Sequence, residues 1–133
     1  MEIEEALVYQ LHHDTGVAAI AGTRGYPIIV PQDVQLPAWA YQRIDGESYL
    51  GVQAVSDLDR ARLQVSCIAE SYSGAKGLAA AIQTALDGFH ADMGDDDDGH
   101  IYVGMAHVSM SQDIYTPGAQ VYVARLDVEI IYG

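Results

Sequence analysis

The chain lacks most of what would mark a chemical centre. A single cysteine, Cys67, occurs in 133 residues, so no internal disulfide can form. Cys67 falls inside an alternating strand pattern, where a buried, inert thiol is expected rather than a nucleophile. No apolar run approaches the roughly 20 residues of a membrane span. The acidic start MEIEEALVYQ has neither the basic region of a signal peptide nor the arginine-rich character of a transit peptide, so no leader is expected. Basic residues are scarce: one lysine and five arginines face 19 acids, for a net charge of −13. Gripping nucleic-acid phosphates or an anionic membrane needs a basic footprint that this composition does not supply. An acidic surface can still border DNA as a channel wall that does not stick to it, or simply keep the chain soluble.

Catalytic motifs are missing too. The sequence has no G-x-S-x-G, no H-E-x-x-H and no phosphate-binding loop; GTRG and GAKG lack the spacing. The acidic run in HADMGDDDDGH fails as a calcium loop. Setting Gly99 at position 6 puts Gly94 at position 1 and Met105 at position 12, where ligands are needed. A solvated loop tip is the expectation for four adjacent like charges. His90, Asp92 and His100 flank that run and form the one metal clamp worth testing, although their spacing matches no zinc type. No metal, no cofactor and no enzymatic activity are expected.

What is present is a pattern of elements. Ile3, Leu7 and Leu11 repeat at helical spacing over residues 2–13, with glutamates at the start and histidines at the end. Asp14 or Thr15 caps a short further turn through VAAIAG that Gly22 ends. Ala38 to Ile44 reads as a strand. Residues 59–70 alternate cleanly: Ala61, Leu63, Val65, Cys67 and Ala69 against Arg60, Arg62, Gln64, Ser66 and Glu70, with Ile68 the exception. Residues 74–87 carry the apolar stripe of the second main helix, with Ser73 as N-cap and Gly88 beyond its end. Residues 90–100 read as loop, 101–111 as a strand of weak alternation, 113–118 as a turn, and 120–132 as the last strand. Strands joined mainly by turns give one α+β domain: a mainly antiparallel sheet of four to five strands with two helices on one face.

The stretch PIIVPQDVQLPAWAYQR holds three of the four prolines. A proline-stiffened loop loses little entropy when a partner orders it. Trp39 and Tyr41 alternate on one side of the strand that follows. Two readings stand: they fill the core, or they border a subunit contact, where Trp and Tyr are enriched.

Read together, EEALVYQL, GVAAIAGTRGYP, VPQDVQLPAWAYQRIDGE, RARLQVSCIAESYSGAKGLAAAIQTALDG and DIYTPGAQVYVARLDVEIIY run nearly end to end. In that order the chain resembles the tail-completion, or tail-terminator, proteins of long non-contractile-tailed bacteriophages and related prophage-derived particles. The Pro-Gln and Leu-Pro pairs with the Y-Q-R-I strand are the most specific part. The acidic loop lies outside the resemblance.

The resemblance implies structural work in a virion: a homohexameric ring at the head-proximal end of the tail tube, assembled in the host cytoplasm. Such a ring stops tube polymerisation, meets the head-tail connector or stopper protein, and passes DNA through its lumen without specific binding. Pro31, Gln32, Leu36 and Pro37 carry over as interface positions. Tyr49 and Leu50, in the 45–58 extension, join them as residues that could pair with a neighbouring subunit. Another neck component, a stopper or connector ring, is the alternative, and a small metal-dependent enzyme is a further one.

Overall fold

The structure is a computed structural model and describes residues 2–45, 59–95 and 99–133. Chain order is α1 (Ile3–His13), α2 (Thr15–Ala21), β1 (Gly25–Pro27), β2 (Ala38–Asp45), β3 (Asp59–Ala69), α3 (Tyr72–Leu86), β4 (Ala91–Asp95), β5 (Gly99–Thr116) and β6 (Val121–Tyr132). The α+β expectation holds, with two corrections of number: the described residues form three helices and one six-stranded sheet, in the order β1-β2-β3-β6-β5-β4. All pairings are antiparallel except β1 with β2, which is parallel.

The third helix arises from one residue. Asp14 closes α1 by donating its N–H to the Leu11 carbonyl, and its carboxylate then accepts the Val17 N–H at 3.1 Å. That side-chain bond satisfies a donor the new helix would otherwise leave bare. Gly22, at φ 54, ends α2. In α3 the N-cap is Ser71 rather than Ser73; its hydroxyl accepts the Gly74 N–H at 3.0 Å. Gly88 takes φ 78 just past the helix, the conformation a glycine reaches without steric cost.

One core joins all three helices to one face of the sheet. Ala61, Leu63, Val65, Cys67 and Ala69 of β3 and Ala124, Leu126, Val128 and Ile130 of β6 are buried there. Against them lie Leu7 and Leu11 of α1, Val17 of α2, and Leu78, Ile82 and Leu86 of α3. Each such aliphatic side chain contributes about 2 kcal/mol by leaving water. The sheet curls around α1. That helix packs on β4 and β5, while Glu4 and His12 reach Arg43 and Trp39 on β2, near the other end of the strand order.

Residues 91–95 correct the loop expectation. They pair with β5, and Met93 is buried in the core. One buried residue in a run of acids and glycine leaves no alternation to detect. β5 also runs longer than 101–111, and two bulges explain its weak alternation. Register shifts lie between Val103 and Met105 and between Met110 and Gln112. Each extra residue switches which side chains face the core. The turn accordingly narrows to the residues after Thr116, where the Gln120 N–H returns to the Thr116 carbonyl.

Candidate assembly surfaces

The proline loop crosses the face of the sheet that carries no helix. Val30, Pro31, Gln32 and Leu36 line a cleft of about 420 Å³ together with Ile68 and Val121, on β3 and β6. Ile68 breaks the polar alternation of β3 because it lies beneath this loop. A second hollow of about 630 Å³ continues past Leu36 to Glu70, Tyr115 and Tyr122. Pro31 and Gln32 are exposed, and Leu36 and Pro37 half-buried. Pro37 follows a cis peptide bond and stands outside the cleft. Its carbonyl accepts Arg24 Nε at 3.0 Å, while Arg24 Nη2 donates to the Ile20 carbonyl at 3.0 Å. Arg24 thus ties the end of the loop to α2, a role that no motif around it announces. Tyr49 and Leu50 lie outside the described residues.

Trp39 takes the core reading. It is fully buried, and the Gly25 backbone runs directly over its ring. Tyr41 is only half-buried and borders a hollow of about 440 Å³ edged by Glu2, Glu4, Glu5 and Ile28. Burial first, then the Glu4 and Glu5 carboxylates, raise the Tyr41 hydroxyl above its ordinary pKa. Burial alone would lower Arg43, but the Tyr132 hydroxyl and Glu4 outweigh it and keep the guanidinium charged. Arg43 Nη1 lies 2.9 Å from Glu4 Oε1.

Beside that hollow, Ile28 and Ile29 are 70% and 72% exposed. No periodicity or motif in the sequence marks them. Ile28 has φ 66, and the Ile29 N–H reaches the Pro27 carbonyl at 2.7 Å, a γ-turn of the rare hand. A β-branched residue there carries roughly 1–3 kcal/mol of strain. The Ile28 N–H, donated to the Tyr41 carbonyl at 2.7 Å, holds it in place.

Of the metal clamp His90, Asp92 and His100, the structure describes the side chains of the first two alone. His90 Nε2 lies 2.8 Å from the Tyr102 hydroxyl, and Asp92 pairs in register with Tyr102. The His100 side chain lies outside the described residues, as do residues 96–98 of the acidic run. No group of three or more His, Cys, Asp or Glu that could hold a metal occurs among the described residues. The Cys67 thiol is pushed up to about 12 by burial. No helix of the described residues is long and apolar enough to cross a membrane.

The described residues thus place a proline loop and two exposed isoleucines on the surface of a curled α+β scaffold. The family described as Tail completion protein gp17 matches residues 5–133, and the chain belongs to that family. It is by that membership a tail-completion protein. A solved chain described as "Virion of native gene transfer agent (GTA) particle" shares the fold, with a TM-score of 0.67 and 22% identity over 97% of this chain and 94% of that one. A comparison with curated proteins finds no match.

Proposed function

We propose that the chain forms a ring, of six copies, at the head-proximal end of the tail tube. There it ends tube polymerisation, joins the tube to the head connector and leaves a lumen for DNA. The observation that carries this reading is family membership over nearly the whole chain. Two physical features support it. Among the described residues the sheet ends in unlike edges, three-residue β1 and five-residue β4, strands of the kind a neighbour can pair with. A ring closes through such unlike, head-to-tail surfaces. Six copies at −13 each would carry −78, a charge that repels DNA phosphates from a lumen wall. The work is structural and needs no catalytic group or cofactor. Negative-stain imaging with mass measurement tests the reading: open-centred rings that cap purified tail tubes are expected. A strict monomer that leaves tubes uncapped, or a ring that binds only the portal side, would overturn it.

A further inference from the structure

The hollow past Leu36 sets an unmatched carboxylate against aromatic rings. Glu70 lines it with Leu36, Tyr115 and Tyr122. Glu70 is exposed and makes no hydrogen bond or ion pair among the described residues. The Tyr115 and Tyr122 ring centroids lie 4.8 Å apart, tilted by 49°, and Tyr72 stands edge-on to Tyr122 at 6.1 Å. Lys76 does not serve Glu70. Its ammonium lies 5.9 Å from the centre of the Tyr72 ring and pairs with Asp113.

Tyrosine faces attract cations, and a carboxylate binds a guanidinium through two parallel N–H bonds. Arginine suits the hollow better than lysine, because its planar group can stack on a ring while its fork meets Glu70. Leu36 supplies an apolar rim for the methylene stem.

The chain itself carries the matching cation. Of its six lysine and arginine residues only Arg62 is exposed. Arg24, Arg43, Arg60 and Lys76 are bonded to carbonyls or carboxylates, and Arg125 is half-buried. Arg62 makes no hydrogen bond or ion pair among the described residues. Its register partner on β6, Glu129, is taken by Arg60, and the side chain of its partner on β2, Asp45, lies outside the described residues. In a chain of net charge −13 an exposed arginine is the exception. It does not reach Glu70 within its own copy: the two stand at opposite ends of β3, roughly 26 Å apart.

We infer that Arg62 of one copy enters the Glu70–Tyr115–Tyr122 hollow of the next. Cation and hollow are unlike surfaces at opposite ends of one strand, as a head-to-tail contact requires. The inference rests on the ring reading.

Charge reversal tests it. Arg62→Glu and Glu70→Arg should each lose the ring by mass photometry while keeping the wild-type melting temperature. Arg62→Gln and Glu70→Gln, milder on the fold, should weaken it as well. Mixed in equal amounts, the two reversed variants should form rings again, because alternating copies then match every carboxylate with a cation. Tyr115→Ala should weaken assembly about tenfold, through loss of a stacking face rather than of charge. Rings that persist in either reversed variant, a mixture that stays apart, or full-strength assembly of Tyr115→Ala overturn the contact and leave the ring reading standing. A wild-type chain that stays monomeric even with tube protein overturns both.

Discussion

A Cβ on Gly25 would lie 2.2 Å from Cζ2 of Trp39. The two residues are register partners in the one parallel pairing of the sheet, and the Trp39 N–H donates to the Arg24 carbonyl at 3.0 Å. The indole therefore fills the space that glycine leaves, beside the backbone of β1 where it pairs with β2.

Gly25→Ala should cost about 1–3 kcal/mol, since the ring is hemmed in and cannot yield. Trp39→Ala should cost about 3–5 kcal/mol by leaving a cavity. Urea titration measures both. A Gly25→Ala chain as stable as wild type would show that the indole has room to move.

Arg24→Ala removes two hydrogen bonds from a charged donor to backbone carbonyls, each of a kind that contributes about 1.5–3 kcal/mol. The loss should be local. Hydrogen exchange in 28–37 should speed up while β3 and β6 stay protected. Global unfolding instead would mean that the loop and the core are one cooperative unit.

Burial, with the neighbouring His13 charge second, lowers the His12 pKa below 6.5. Its Nε2 is buried without a partner, against the edge of Trp39. A lowered folded pKa means that the unfolded chain takes the proton more readily. Stability from neutral His12 is complete above pH 6.5 and is lost as pH falls through the folded pKa. His12→Phe should flatten that part of the stability–pH curve. An unchanged slope in the variant would assign the loss to carboxylates.

Cys67, with its thiol pushed up to about 12 and fully buried, should resist thiol reagents at pH 8 until the domain unfolds. Labelling rate against denaturant checks this. Rapid labelling of native protein would place the thiol at a surface.

Much of this was legible in the sequence because the signals are local. The alternation of β3 survives because one sheet face meets helices and the other does not. The stripe of α3 and the Asp14 cap also depend only on near neighbours. β4 was not legible: its strand character comes from pairing with β5 and from Met93 alone entering the core. The bulges of β5 hid a long strand behind broken periodicity. The Pro31, Gln32 and Leu36 positions could be picked out by their prolines and neighbours, but not the Ile68 and Val121 floor beneath them. The exposed isoleucines carried no signal at all, since two isoleucines in an extended run read like any strand.

By itself, then, the sequence determined the α+β class, the faces of α1, α3, β3 and β6, the inert cysteine and the resemblance to tail-completion proteins. Those follow from periodicity, capping and residue order along the chain. Tertiary structure decided which face the proline loop covers, that Trp39 is core and that Ile28 is held outward. These depend on residues far apart in sequence meeting across strands, where a missing Cβ at Gly25 or one carbonyl at Tyr41 fixes the outcome.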